Sequence, residues 1–414
     1  MGTKRSLGQG FRALFVGSLV SNIGDGIRLS ALPLLAASLT SSKLLIAAVT
    51  AAQYLPWVTF APAGGALVDR WDRRRTILIT QAWRGLVVGG LALLVWTSHA
   101  EIWQVWVVAF AITVGEILVD PSTVALVPTL VGDDNLDRAN GRISSVEIIT
   151  NDFAGGPVGA ALFSLAPWLP FLIDGATYLG SLLPFRRLPR AEPQPQTEDT
   201  PPRSLRAEAR EGFSWLRHHT ILGPLTLAQV VYYFGLAASL SLLVVLVTDE
   251  LNAPTAAFGL VLAVGAAGAF LGTLVGAPLA ARFGARLSLS GAVALQAVTL
   301  GAAAATPSLP VLAGLWFLNG IPAGAQRPIA RSLQQRLTPN DLLGRVNVTT
   351  RIFTRGIIVI GALAAGTLAT FGGVRSSFAL GGVAQLVAAA MMWKALGRLP
   401  SAPTHGSQQP RQDG

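Results

Sequence analysis

The chain has 414 residues, of which 51% are hydrophobic and only 13% charged, with a mean hydropathy of +0.53. Soluble domains carry about a quarter charged residues, so a water-soluble protein of this composition would have too little polar surface to cover itself. The net charge of +10 sits in short bends between apolar runs, which argues against a nucleic-acid-binding face and for a membrane topology, and the absence of cysteine removes disulfides, thiol catalysis and thiolate metal sites.

The apolar runs recur along the chain at the ~20-residue length that crosses a bilayer as a helix. Lipid leaves no other open way to satisfy backbone groups, so each is expected to be helical. The first set of spans is expected near 11–39, 44–68, 76–97, 103–131, 141–166 and 168–186. The first of these carries Asn22, Asp25 and Arg28 and has no clear small-residue cleavage site. It is therefore read as a retained span, not a signal peptide. Between spans two and three lies GGALVDRWDRRR (64–75), where six of the seven residues from Asp69 to Arg75 are charged. Span three carries a single charge, Arg84, and span four has Glu116 and Asp120 four residues apart. Span five has Asn151, Asp152 and then GGPVGAA (155–161), and span six has Asp174.

PRAEPQPQTEDTPP (189–202) holds five prolines in 14 residues and cannot be helical for long. The stretch after it, 203–219, puts Leu205, Ala209, Phe213 and Leu216 on one helical face with arginines elsewhere. Two readings stand open for it: a helix lying on the membrane surface, or an ordinary connector. A second set of spans is expected near 221–248, 256–281, 287–306, 309–337, 345–370 and 375–397. Basic bends alternate with bends nearly free of Arg and Lys, and positive loops stay in the cytoplasm. Both termini are thus expected inside.

The two sets resemble each other. Setting residue n against n+207 pairs Pro121 with Pro328, Leu126 with Leu333, Leu130 with Leu337 and Asp134 with Asp341. It also pairs Leu136 with Leu343, Arg138 with Arg345 and Asn140 with Asn347. A six-plus-six parallel repeat is a transporter layout with a central site between halves. The expected fold is thus an all-α integral membrane protein with twelve transmembrane helices. It divides into a first six-helix half (1–186), a cytoplasmic linker with an amphipathic helix (187–220), a second half (221–398) and a disordered cytoplasmic tail (399–414).

Gly65, Asp69, Arg70, Arg73 and Arg74 make the 64–75 loop resemble the signature loop of the major facilitator superfamily, with Asp72 where that pattern has glycine. A worn copy, ARFGAR (281–286), stands in the second half. The resemblance implies that this loop is a conformational latch between the halves, with Asp69 and Arg73 at its centre, stabilising the outward-open state. A purely topogenic arginine cluster is the other reading. Gly156, Pro157 and Gly159 are similar to the glycine-proline motif of the antiporter, drug-exporting branches. The segments DPSTVALVPTLV, LDRANG and IDGATY also look like the macrolide-efflux and siderophore-exporter branch. An ordinary small-residue packing face would use the same glycines.

An ionisable group within a span costs at least ~2.5–3.5 kcal/mol on insertion scales, so each needs a reason. Asp25, Glu116 and Asp152 are the candidate proton-coupling residues. The bland alternative is structural: Asp25 pairs with Arg28, and Asp120 with Arg84 or the latch. If the Asp25–Arg28 pair is tight, Glu116 must carry the proton. Asn22, Arg28, Gln53, Tyr54, Tyr232, Tyr233 and Asn319 are expected to line a substrate cavity. No Gly-x-x-x-x-Gly-Lys-Ser/Thr loop occurs and the four histidines are unclustered, so no cofactor or metal is expected. The reading is a proton-coupled exporter of small hydrophobic or amphipathic compounds, such as drugs, antibiotics or siderophores. It would be a multi-pass protein of the cell membrane, not an enzyme, a monomer whose partners are a small-molecule substrate, protons and the bilayer. A nutrient or metabolite importer or facilitator of the same fold is the alternative.

Overall fold

The computed structural model describes residues 7–60, 71–132, 135–189, 205–339 and 342–398, apart from the side chains of Asp152 and of 205–209. The described residues form helices and short connections. The first set comprises α1 (Gly8–Leu39), α2 (Lys43–Thr59), α3 (Arg73–Trp96), α4 (Ile102–Val131), α5 (Leu136–Glu147), α6 (Gly155–Leu165) and α7 (Leu169–Phe185). A π-helical turn, Ile148–Ala154, joins α5 to α6 without a break. The linker helix is α8 (Leu205–His218). The second set comprises α9 (Leu222–Leu240), α10 (Leu243–Val245), α11 (Thr255–Ala304), α12 (Leu309–Leu337), α13 (Leu343–Gly372) and α14 (Val374–Leu396). A second π-helical turn, Leu246–Glu250, follows α10.

Local chemistry sets the boundaries. Ser42 caps α2 by accepting from the Leu45 amide, and Glu101 with Gln104 forms a reciprocal capping box at the start of α4. Asp72, the residue that replaces the signature glycine, caps α3 by accepting from the Arg75 amide at 2.6 Å. α11 is two helices in series. Gly284 at φ 79° and ψ 158° breaks it, a conformation open to glycine and costly for other residues, and the break falls between the spans expected at 256–281 and 287–306.

By length and apolarity six described helices can cross a membrane: α3, α4, the α9–π stretch Leu222–Glu250, α11, α13 and α14. The other expected spans miss that standard for visible reasons. α1 carries Arg12, Asp25 and Arg28, α12 carries Arg327, Arg331 and Arg336, α2 and α7 are 17 residues long, and the span expected at 141–166 is divided into α5 and α6, 12 and 11 residues long.

Three apolar clusters hold the bundle. The largest draws on both sets: Leu32, Leu35, Ile46 and Phe163 from the first, Leu243, Phe258, Val374 and Phe378 from the second. It lies at the end away from the linker helix. At the linker end the core divides. One cluster (Phe11, Leu14, Leu126, Phe185) belongs to the first set alone, the other (Leu222, Leu225, Val293, Met392) to the second with α8. Ile148, Ile149, Leu274 and Phe283 are exposed at this end. Among the described residues the two sets are therefore welded at one end and parted at the other.

Two seams cross between the sets. α6 packs on α11: a Cβ at Gly259 would stand 2.6 Å from the Gly156 carbonyl oxygen, the Ser164 and Thr255 hydroxyls lie 2.6 Å apart, and Phe153 meets Phe270 edge-on at 5.7 Å. α2 packs on α13, where Gly366 faces Ala47 and Gly356 faces Val58.

Candidate functional site

The charges of α1, α3, α4 and α7 converge on one buried network. On α1, Asp25 and Arg28 are one turn apart, so their side chains share a face; Arg28 Nη2 donates to Asp25 Oδ1 at 2.6 Å. Arg84 of α3 donates to the same oxygen at 2.9 Å. Tyr178 of α7 donates its hydroxyl to it at 2.5 Å. Glu116 of α4 accepts from Arg28 at 3.3 Å and from Arg84 at 3.5 Å. Asp174, one turn before Tyr178, accepts from Arg28 Nε at 3.0 Å.

Packing keeps the network in place. The Arg84 guanidinium lies 4.2 Å from the Tyr178 ring centroid and donates to Gln81, which donates in turn to Ser181. Gly115 leaves room for the Arg84 stem, whose Cδ would stand 2.6 Å from a Cβ at that position. Both guanidiniums are almost fully enclosed, at 4% and 3% side-chain exposure, and Asp174 is at 0%. Glu116 is 31% exposed. It is the most exposed member of the network, with Asp120 exposed one turn further along α4.

Two guanidiniums face three carboxyls in this network, so with every group ionised it holds one negative charge too many. Buried ions are tolerated when paired and hydrogen-bonded. One proton on a carboxyl restores the balance. Asp25 Oδ1 is already occupied by three donors. Asp174 Oδ1 has no partner among the described residues, and Glu116 is held by two long contacts.

The expected pairing of Asp25 with Arg28 is present, within a larger network than a pair. Arg84 does not pair with Asp120: its bonds run to Asp25, Glu116 and Gln81. Tyr178 entered the sequence reading only as the last residue of IDGATY and not as a site residue, although its spacing of four from Asp174 puts both on one face of a helix.

Of the expected cavity residues, Asn22, Gln53, Tyr54 and Tyr233 are half-buried, with Asn22 bonded to the Ser18 carbonyl at 2.8 Å. Arg28 belongs to the buried network. Tyr232 and Asn319 require correction. Tyr232 donates to Gln296 at 3.0 Å, and Asn319 donates to the Gln296 carbonyl and to Thr299. Their polar groups are used inside the second set, where both are buried.

The glycine-proline segment lies at a crossing of three helices. Gly155 and Gly159 press against α1, where a Cβ on Gly159 would collide with the Ile27 carbonyl. Gly156 and Pro157 face Gly259 of α11. Of the latch residues, Gly65, Asp69 and Arg70 lie outside the described residues. Arg73 donates to the Ala125 carbonyl of α4 at 3.1 Å and Arg74 to the Arg186 carbonyl, both within the first set. The Asp152 side chain is also outside the described residues.

A family model described as transmembrane secretion effector matches residues 7–411. The chain belongs to this family of the major facilitator superfamily. Facilitators of this kind are transporters, not enzymes. The chain is 26% identical over 349 residues to the enterobactin exporter EntS of Shigella boydii, covering 81% of this chain and 80% of that one. It is 26% identical over 228 residues to macrolide efflux protein A of Streptococcus pyogenes, covering 54% of this chain. The chain thus spans only 55% of the length of that macrolide-efflux relative. Among solved structures, a bacterial homologue of the iron transporter ferroportin in its inward-facing state superposes with a TM-score of 0.72. That match has 20% identity and covers 94% of this chain and 98% of the other, a likeness of fold.

Proposed function

We propose that this facilitator is a proton-coupled exporter of small amphipathic compounds, with twelve spans in two six-helix halves and both termini in the cytoplasm. In that topology the parted end of the bundle is the cytoplasmic one, and the chain is open to the interior. The observation that carries the proton reading is the buried network with one carboxyl more than it has guanidiniums. Its most exposed carboxyl, Glu116, would open on the space between the halves. A proton taken up there from the outside and released inside would drive one turn of the cycle. The named relatives, an exporter and an efflux protein, support the outward direction.

The latch fits the same cycle. Arg73 resting on α4 is the released position, and in the outward-open state it would engage Asp69 and the second half. The glycine-proline crossing would be the pivot of that motion, because glycines let helices slide at close approach.

The test is efflux from cells expressing the chain, with and without an uncoupler. Accumulation of a transported dye should fall when the chain is expressed and return to the control level when the uncoupler collapses the gradient. Efflux unaffected by the uncoupler removes proton coupling; uptake instead of efflux makes the protein an importer.

A further inference from the structure

The charges on the second half's wall are unlike those of the first, and they point to the substrate. Arg351 and Arg355 lie one turn apart on α13, and Arg355 is 12 residues beyond Leu343 in a 30-residue helix, near mid-depth of the span. Arg351 is exposed and Arg355 half-buried. A guanidinium at that depth cannot face lipid cheaply, so the exposed surface is that of the cavity.

Each guanidinium is held by an aromatic face from the opposite half. Arg355 lies 5.3 Å from the Tyr54 centroid and 5.5 Å from Trp57, and Arg351 lies 5.3 Å from Trp57. A ring face attracts the cation without taking a directed hydrogen bond, and neither guanidinium donates a side-chain hydrogen bond among the described residues, which leaves its N–H fork free. That fork matches carboxylate, sulfonate or phosphate oxygens two at a time. Among the described residues neither arginine has a carboxylate within 4.0 Å, in contrast to Arg28 and Arg84. On α12, Arg327 is likewise exposed and without an ion-pair partner among the described residues. Against these three guanidiniums the described residues of the first half offer the exposed carboxylates of Asp120 and its near neighbour Glu147, since Glu116 is engaged by Arg28 and Arg84.

We infer that the substrate is an organic anion with an aromatic body, its acidic group bound by Arg351 and Arg355 and its rings seated beside Tyr54 and Trp57. A cationic compound would meet like charges across the cavity, which penalises it. This rests on the export reading and not on the proton: an inside-negative potential favours the exit of an anion whatever the coupling ion.

Three probes with one ring system separate charge from shape: naphthalene-1-sulfonate, naphthalene-1-sulfonamide and (naphthalen-1-ylmethyl)trimethylammonium. Equilibrium dialysis against the purified full chain, with no gradient present, should rank them anion, neutral, cation, with the anion about tenfold tighter than the cation, the effect of one good charge contact. Arg355→Gln should remove that preference. Asp120→Asn acts in the opposite direction, tightening the anion several-fold, and serves where the arginine variant does not fold. A cation bound as tightly as the anion, or an anion affinity indifferent to both substitutions, overturns the assignment. Because dialysis is blind to coupling, such a failure leaves the uncoupler experiment standing, and a failed uncoupler experiment leaves the charge preference standing.

Discussion

Asp25 and Glu116 look alike in the sequence, as carboxylates within apolar runs. Their surroundings assign them different tasks. Asp25 Oδ1 anchors Arg28, Arg84 and Tyr178 at 2.6, 2.9 and 2.5 Å. Replacing it by Asn strips two buried guanidiniums of their shared anion, and uncompensated buried charge costs on the order of 3–5 kcal/mol. Asp25→Asn should therefore lower the Tm and the yield of folded protein. Glu116 makes two long contacts and is part-exposed. Glu116→Gln brings the network to equal numbers of carboxyls and guanidiniums, so it should keep or raise the Tm while abolishing gradient-driven efflux. Thermal unfolding beside an efflux assay separates the two. If Glu116→Gln pumps as the wild type does, the coupling proton sits elsewhere, with Asp174 next. That the spans hold charges needing partners was legible in the sequence. Which charge meets which was not, because the network joins four helices, and only the Asp25–Arg28 and Arg84–Gln81 contacts are local in the chain. The cavity expectation for Tyr232 and Asn319 failed for a related reason. A polar side chain in a span satisfies itself on a neighbouring helix as readily as on a substrate, and residue type alone does not distinguish the two.

At the level of helices the glycines of 155–161 are unequal, although the motif treats them alike. A methyl added at Gly159 meets the backbone of α1 at Ile27, which cannot step aside without moving the helix. One added at Gly156 meets the Leu262 Cβ at 3.2 Å, a tight contact that a few tenths of an ångström would relieve, against the backbone collision at Gly159. Overpacking costs about 1–3 kcal/mol or more where backbone is the obstacle. Gly159→Ala should thus lose folded protein, and Gly156→Ala should retain it with a change in transport rate at most. Equal tolerance of both would show that the α1–α6 crossing is looser than its geometry.

The linker helix ends in a titratable cap. His219 Nδ1 accepts from the amides of Ile221 at 3.2 Å and Leu222 at 3.0 Å at the start of α9, and Trp215 packs on its ring at 4.7 Å. Partial burial lowers the His219 pKa from its ordinary 6.5. The neutral ring is thus the folded-state form. Its contribution is fully present above about pH 6.5 and is lost as the pH falls below it. The Tm of the wild type should drop between pH 7.5 and 5.5 by more than that of His219→Asn, whose amide oxygen caps without titrating. Parallel declines would show that the cap does not titrate in this range. The amphipathic pattern of 203–219 signalled a helix here. Its docking on α13 did not show in the pattern: Glu211 pairs with Arg345 at 2.6 Å and Phe213 meets Phe353 at 5.5 Å, contacts between segments more than a hundred residues apart.

For the molecule as a whole, the division of the core carries the strongest consequence. Among the described residues one apolar cluster joins both sets of helices at the end away from the linker, while at the linker end each set has its own. A carrier with one central site must open each end in turn, so the welded end has to part during transport. Ser164 and Thr255 sit on that weld with their hydroxyls 2.6 Å apart and exposed, which brings their Cβ atoms close to the range a disulfide bridges. The chain has no cysteine of its own, so Ser164→Cys with Thr255→Cys introduces the only pair. Oxidised, this double variant should hold the structure described, bind naphthalene-1-sulfonate from the linker side and export nothing. Reduction with dithiothreitol should restore efflux to the level of the unoxidised variant. Each single-cysteine protein should ignore the oxidant. The bound-but-not-moved result is specific to a carrier arrested with one end shut, since a misfolded protein loses binding as well. Full transport with the bridge closed, verified by mass, would mean that the seam between α6 and α11 never separates. The opening would then have to be sought at the α2–α13 seam, where Gly356 and Gly366 hold the halves together.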